Sequence, residues 1–206
     1  MGIKELLNSL AKEKAPGPAL TFTSLHLIKA LELMAEGPVG RGKLAKMLGI
    51  GEGTVRTIIK RLKDSNLIEI SRDGCYLTSF GKEFWKKFKK KIPKKVFLEK
   101  NEFSLAEYNV AVLVRKCGGK IKTGMRQRDA AIMIGAEGAT TVVAKNEKLV
   151  LPGVSDNVAK DYPVAYRQIV ELLKPEHGDV VIIGTAKTKE KAEYGALAAA
   201  LTLLED

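Results

Sequence analysis

Apolar residues recur at helical spacing in three segments of the first third of the chain. We predict a helix over residues 23–35, a short helix over residues 42–48 and a third helix over residues 52–65. Residues 49–53 are rich in glycine and favour a tight turn between the second and third helices. The third helix has one apolar face, made of Val55, Ile58, Ile59 and Leu62. Because such a face must be buried, we expect these helices to share a small core.

The apolar period changes from helical to alternating after Asn66. Apolar and polar residues alternate over residues 67–71 and again over residues 75–79, and the turn sequence Arg72-Asp73-Gly74 stands between them. This pattern predicts a β-hairpin. A fourth helix is predicted over residues 79–91, with aromatic residues on one side and lysines on the other. A proline and two lysines then mark the end of a first domain, residues 1–95.

Strand patterns outnumber helical patterns in the rest of the chain, residues 96–206. We predict strands over residues 96–98, 108–115, 130–134, 139–144, 148–152 and 178–184. Helices are predicted from Asp161 to residue 173 and from Thr188 to residue 204, each beginning at a capping side chain. Several strands are joined by short turns. The predicted fold class is therefore α+β, and the second domain is an α/β sandwich whose largely antiparallel sheet has helices on one side.

Positive charge is concentrated in the first domain. The chain contains 35 Lys and Arg against 24 Asp and Glu, a formal net charge of +11. Residues 1–95 hold 20 of the basic and 9 of the acidic side chains, whereas residues 96–206 hold 15 of each. The whole surplus therefore lies in one domain, where it would attract a polyanion such as nucleic acid. The alternative is a solubilising surface charge, which has no reason to gather in one segment.

The element order and three motifs resemble the winged helix-turn-helix of bacterial and archaeal transcription regulators. The motifs are LGIGEGTVRTIIKRL at residues 48–62, NLIEI at residues 66–70 and LTSFG at residues 77–81. The resemblance covers about residues 20–92, and it implies that the third helix reads DNA bases while the hairpin touches the DNA backbone or minor groove. One departure is Gly51, which stands where many such domains have a capping Ser or Thr.

The resemblance assigns roles to six residues of the basic face and the hairpin. They are Thr54, Arg56, Thr57, Lys60, Arg61 and Arg72. The first three lie near the start of the third helix and would face bases, and Arg56 is the best candidate for a bidentate contact to guanine. The other three would hold phosphates or the minor groove. The expected partner is double-stranded DNA, bound by a homodimer.

The second domain offers weaker candidates for a small-molecule effector site. Arg126 and Arg128, together with Thr185 and Thr188, would suit a phosphate or a carboxylate, because arginines and helix N-termini favour anions. Ordinary turns and surface arginines are the alternative reading. The whole arrangement, a winged helix followed by an α+β module, resembles small archaeal regulators of unassigned function, and that resemblance brings no ligand with it.

The sequence contains no pattern typical of an enzyme. No phosphate-binding loop, dinucleotide fingerprint or nucleophile–base arrangement is visible, so we expect no catalytic residues and no cofactor. Two other classes stay open. The chain could be a metabolite-binding protein or enzyme with an accessory winged helix, as the arginines of the second domain suggest. It could also be a protein- or RNA-binding adaptor, as the aromatic side of the fourth helix suggests.

The remaining residue types point to a cytoplasmic protein. No apolar run approaches the length of a membrane span, and polar residues interrupt any signal-peptide pattern near the start. Two isolated cysteines, Cys75 and Cys117, are expected to be reduced thiols, and no metal site is expected. Glutamine occurs only at Gln127 and Gln168 while Lys and Glu are abundant, a bias typical of hyperthermophile proteins.

Overall fold

The structure, a computed structural model, describes residues 2–13 and 20–204 and divides the chain into two compact units, Met1–Phe88 and Lys89–Asp206. The boundary expected at residue 95 falls inside a strand, Lys94–Leu98, of the second unit's sheet. Both lysines of this strand have partners in that unit. Lys94 donates to the carbonyl of Leu172 at 3.1 Å, and Lys95 pairs with Glu193. The lysines are therefore part of the fold and not of a linker.

The first part of the chain is mainly helical, as the sequence predicts. Its helices are α1 (Ile3–Leu10), α2 (Ser24–Glu36), α3 (Arg41–Leu48), α4 (Glu52–Asp64) and α5 (Ser79–Lys91). Its strands, β1 (Ile68–Ser71) and β2 (Gly74–Leu77), form the predicted antiparallel hairpin. Helix α1 was not predicted, although it buries Leu6, Leu7 and Leu10. Thr23 caps α2 by accepting from the amide of Leu25 at 3.3 Å.

The leucine-threonine-x-x-glycine motif holds the hairpin to the two helices that flank it. The hydroxyl of Thr78 donates to the carbonyl of Asn66 at 2.6 Å and accepts from the amide of Gly81 at 2.9 Å. The amide of Thr78 donates to the carbonyl of Leu67 at 3.1 Å. A Cβ at Gly81 would lie 1.9 Å from that same carbonyl oxygen. The motif therefore joins the end of α4 to the start of α5, and only glycine fits this approach.

The second unit is built on one five-stranded sheet. Its strands are β3 (Lys94–Leu98), β4 (Tyr108–Val114), β5 (Gly138–Lys145), β6 (Lys148–Val150) and β7 (Val180–Ala186). Their order is β3-β4-β7-β5-β6, and every neighbouring pair is antiparallel. Its helices are α6 (Met125–Met133), α7 (Val158–Asp161), α8 (Pro163–Leu173) and α9 (Lys189–Leu201). The expectation of an α+β chain with an antiparallel sheet is confirmed.

Helices cover both faces of this sheet, and the expectation of helices on one side is wrong. On the first face, Ala111 and Leu113 of β4 pack in one apolar cluster with Ala165 and Ile169 of α8. On the second face, a Cβ at Gly184 of β7 would lie 2.5 Å from a backbone atom of α9. Strands β4 and β7 are consequently buried along almost their whole length. A sheet buried on both faces has continuous apolar strands, which hide the alternation expected for one covered face.

Two local predictions in this unit are also wrong. Residues 130–134 were expected to form a strand, but they lie at the end of α6 and just beyond it. The buried residues of α6, Gln127 and Ala131, are four apart, which is helical spacing, while Met133 is 86% exposed. Asp161 does not cap the following helix. It ends α7 and accepts from the hydroxyl of Ser155 at 2.6 Å. Thr188 does cap α9, accepting from the amide of Lys191 at 3.3 Å.

Replacing Gly81 should destabilise the N-terminal unit. We expect Gly81→Ala to lower the free energy of unfolding by about 2 kcal/mol or more, because the added Cβ must push the chain away from Leu67. Gly53→Ala is the matched control, since a Cβ at Gly53 meets nothing within 4 Å. It should leave the stability within about 1 kcal/mol of the parent, in the stabilising direction. Urea denaturation measures both, and equal effects would contradict the assignment.

Candidate nucleic-acid interface

Helix α4 presents polar side chains to solvent from a rigid position. Arg56, Thr57 and Lys60 are exposed, while the neighbouring apolar residues Val55 and Ile58 are fully buried. The amphipathic spacing fixes which way the helix faces, because rotating it would expose the buried side chains. The direction of the three exposed side chains therefore follows from the core beneath them.

These exposed residues lie around one open groove. Arg56, Thr57 and Lys60 line a depression of about 410 Å³ together with Arg61 and Asp64. Three of the five side chains are cationic and one is a carboxylate, so the groove is positive apart from its end at Asp64. Four of the six residues predicted to meet DNA thus line one groove on α4.

The start of α4 is held by neighbours and not by a cap of its own. Gly51 occupies the N-cap position and makes no side-chain hydrogen bond, as its lack of a side chain requires. Arg41, at the start of α3, pairs with Glu52 at 3.2 Å, although both side chains are about half exposed. The hydroxyl of Thr54 lies 2.6 Å from that of Thr21. No sequence pattern pointed to Thr21, because it lies 33 positions away outside any predicted element.

Arg61 is placed differently from the other candidates. It is buried and engaged by backbone carbonyls, so it is not placed for the predicted contact with phosphate or the minor groove. The residue is 8% exposed. Its Nη1 donates to the carbonyls of Leu10 and Lys12, both at 2.6 Å, and its guanidinium lies 5.4 Å from the ring centre of Phe22. A guanidinium engaged in this way fixes the C-terminal end of α1 to α4. The sequence prediction failed because α1, which supplies the acceptors, was not predicted.

Arg72 lies at the turn of the β1–β2 hairpin, where the sequence predicted it, and it is exposed. It does not line the α4 groove. The hairpin is held near its turn, because Val39 and Cys75 exchange two backbone hydrogen bonds of 2.9 Å. Gly74 has a φ of +128°, and a Cβ there would lie 2.6 Å from the backbone of Val39. Glycine is thus required where the hairpin leaves its turn.

The four candidates for an anion site do not form one site. Arg126 and Arg128 are exposed on α6, which packs on the second face of the sheet beside α9. Thr185 is fully buried on β7, and its side chain belongs to the opposite, first face together with Ile183. Thr188 caps α9. The sheet therefore separates Thr185 from the two arginines.

Arg126 instead belongs to a groove at the start of α6, and Arg128 is not among the residues that line it. The groove, of about 690 Å³, is also lined by Lys120, Lys122 and Thr123. Lys120 donates to the carbonyl of Leu203 at 2.9 Å. The sequence predicted Arg126 as part of an anion site, but it combined this residue with Thr185 and Thr188 and not with Lys120. A helix start among basic residues has the charge that an anion prefers.

None of the helices formed by residues 2–13 and 20–204 has the length and apolar character needed to cross a bilayer. Within the same residues, no group of three or more metal-ligating side chains lies together. Cys75 and Cys117 are buried and form no disulfide, and burial raises the pKa of the Cys75 thiol.

Both units resemble proteins without an assigned activity. Residues 26–83 match the family described as PH0730-like, N-terminal domain, and residues 105–203 match the family described as domain of unknown function DUF4443. Among solved structures, the hypothetical protein PH0730 from Pyrococcus horikoshii OT3 is similar, with a TM-score of 0.70 and 27% identity. The match covers 88% of this chain and 92% of that chain. No protein with a curated description matches. The similarity thus extends over most of both chains.

Truncating Arg61 should cost stability. We expect Arg61→Ala to lower the free energy of unfolding by about 2–3 kcal/mol, because two buried carbonyls lose a charged donor and the contact with Phe22 is lost. Lys63→Ala, an exposed change on the same helix, should stay within about 0.5 kcal/mol of the parent. Amide hydrogen exchange should also show faster exchange in α1 for Arg61→Ala only. Unchanged protection of α1 in that variant would contradict the role given to Arg61.

Proposed function

We propose that the chain is a sequence-specific regulator of transcription that binds double-stranded DNA through its N-terminal unit. The observation that supports this most is the exposed group Arg56, Thr57 and Lys60, held around one groove by the buried face of α4. In this proposal the unit is a winged helix-turn-helix domain, in which α3 and α4 form the helix-turn-helix and the β1–β2 hairpin is the wing.

The local geometry suits that assignment. Helix α3 ends at Gly49, whose left-handed backbone has a φ of +65°, and α4 begins only a few residues later at Glu52. A tight turn of this kind lets the second helix project its first turns outward. The major groove of DNA is about 12 Å wide and admits one α-helix with its side chains. Arg56 and Thr57 lie in the first two turns of α4, which is the part that reaches base edges in such domains.

The charge distribution gives the proposed interface its affinity. The N-terminal unit, Met1–Phe88, holds 15 Lys and Arg against 9 Asp and Glu, which is +6 of the chain's formal surplus of +11. Each phosphate neutralised by a lysine or arginine releases condensed counterions, so a basic unit gains affinity for any duplex and loses it in salt. Lys60 and the wing residue Arg72 are the exposed cations that we assign to phosphates or the minor groove. Arg56 is assigned to a base edge, preferably guanine.

The second unit is assigned a supporting role in the same regulator. We place in it the binding of a small effector or the contact that holds two chains as a homodimer. A dimer is part of the proposal because helix-turn-helix proteins commonly read two half-sites related by two-fold symmetry. We propose no catalytic role for this unit and no resident cofactor.

Fluorescence anisotropy with labelled duplex DNA tests the phosphate contacts. We expect binding that weakens steeply with salt, and we expect Lys60→Ala to reduce the slope of log affinity against log salt by about 1, on every sequence alike. Lys160→Ala removes the same charge from an exposed site in the second unit and should leave the slope unchanged. Anisotropy that stays flat at low salt would refute DNA binding, and equal effects of the two variants would refute the assigned interface.

Selection of bound fragments from random duplexes tests the base contact. We expect Arg56→Ala to relax the preference at one position of each half-site, at a cost of about 1–3 kcal/mol for the preferred sequence. Arg167→Ala, which removes an exposed arginine from α8, should select the same sequences as the parent. Selected fragments with two repeated half-sites are expected for a homodimer, whereas a single unrepeated site would count against one.

A further inference from the structure

Two polar side chains are buried next to each other in the second unit without a partner. Asn109 is 2% exposed and Thr185 is fully buried. Among the residues that the structure describes, none makes a hydrogen bond with Asn109 Nδ2, Asn109 Oδ1 or Thr185 Oγ1. The two residues are direct partners in the antiparallel register of β4 and β7, so their side chains leave the sheet on the same face. Three polar atoms thus lie in one small area.

The neighbouring positions of the sheet on the same face carry no charge. The neighbouring positions on the same face of the sheet are Leu98, Ala111, Ile183 and Gly138. Burying amide and hydroxyl groups without partners in such surroundings is unfavourable, and a valine and a leucine would fill the same positions at no such cost. The pair therefore lowers the stability of the unit as it stands, which points to a hydrogen-bonding partner that is not part of the chain.

The cover over this pair is thin. Gly138 continues the row formed by Asn109 and Thr185, and an added Cβ there would lie 3.1 Å from Cδ1 of Leu105. Leu105 therefore lies over the row, yet it is 68% exposed. A large apolar side chain with most of its surface in water gains little by staying in place. Moving this one side chain would uncover the end of the row at Gly138, next to Thr185.

The first half of the loop that carries Leu105 is anchored at the start of α8. Between β3 and β4, the carboxylate of Glu102 accepts from the amides of Val164 and Ala165 at 2.9 and 2.8 Å, at the start of α8. The adjacent ring of Phe103 lies 4.8 Å from that of Tyr162. These contacts hold the first half of the loop, and Leu105 follows them. The anchored half can stay fixed while Leu105 moves.

We propose that Asn109 and Thr185 form the floor of a binding site beneath Leu105 for a small neutral molecule that carries a carboxamide. A carboxamide offers a donor and an acceptor side by side, which matches the amide of Asn109 in a two-point pair and leaves a third hydrogen bond for Thr185. A carboxylate or phosphate would find no cation there to offset its desolvation. The site thus differs in ligand class from the basic groove at the start of α6.

This inference deepens the proposed function, because it supplies an effector class for the regulator. The two are nevertheless separable. Ligand binding at Asn109 and Thr185 is measured without DNA, and DNA binding is measured without ligand. Failure of the first leaves the assignment of α4 intact, and failure of the second leaves a carboxamide-binding protein.

Nuclear magnetic resonance on the full chain tests the site, with acetamide as the probe and acetate as its charged match in shape. We expect acetamide to shift the side-chain amide signals of Asn109 and the methyl signals of Leu105 in a saturable way, and acetate to leave them unchanged. Thr185→Val and Asn109→Leu should each weaken the acetamide affinity about tenfold or more, since a buried hydrogen bond is lost.

Thr141→Val is the matched control. Its hydroxyl is also buried and without a partner among the described residues, but it lies on β5 opposite Ile182, on the other face of the sheet. It should leave the acetamide affinity unchanged. Thr185→Val is nearly isosteric and keeps the test valid if Asn109→Leu fails to fold. The proposal would be overturned if the signals do not respond to acetamide, or if they respond equally to acetate. An acetamide affinity that falls as much in Thr141→Val as in Thr185→Val would also overturn it.

Discussion

Burial of one face of α4 is the constraint on which the N-terminal unit depends. Val55, Ile58 and Leu62 are fully buried, and together they leave the helix a single orientation. From that orientation follow the exposure of Arg56 and Lys60 and the inward position of Arg61. The orientation of α4 thus sets both the surface that would meet a polyanion and the contacts of Arg61 that hold α1. A change in this apolar face would alter recognition and stability at once.

Much of the N-terminal unit is predictable from the sequence because its signals are local. The helical period of α2 and α4, the two-residue turn at Arg72 and Asp73, and the Thr78–Gly81 motif each act within a few residues. What escaped prediction is set by distant contacts. Arg61 and Thr54 meet residues 51 and 33 positions earlier, and no periodicity within α4 distinguishes a guanidinium that turns inward from one that faces solvent.

The arrangement of helices in the second unit was harder to predict, because helices cover both faces of its sheet. Alternation of apolar and polar residues identifies a strand with one wet face, and β4 and β7 have no wet face. The apolar end of α6 was mistaken for a strand because a short apolar run fits either element. The candidate anion site does not form because the sheet lies between Thr185 and the two arginines, and no local sequence pattern shows that separation. Asn109, which has no sequence motif, becomes visible only through its pairing with Thr185.

The clamp at Arg61 has a practical consequence for how the N-terminal unit is dissected. A fragment that starts at α2 would contain α4 with its groove residues but would lack Leu10, Lys12 and the ring of Phe22. In such a fragment the guanidinium of Arg61 would be left without its acceptors in a buried position. It would then swing out to solvent and add a positive charge beside Lys60. A shortened domain would for this reason present a more positive surface than the intact protein. Its measured affinity for nucleic acid would then be higher than that of the whole chain.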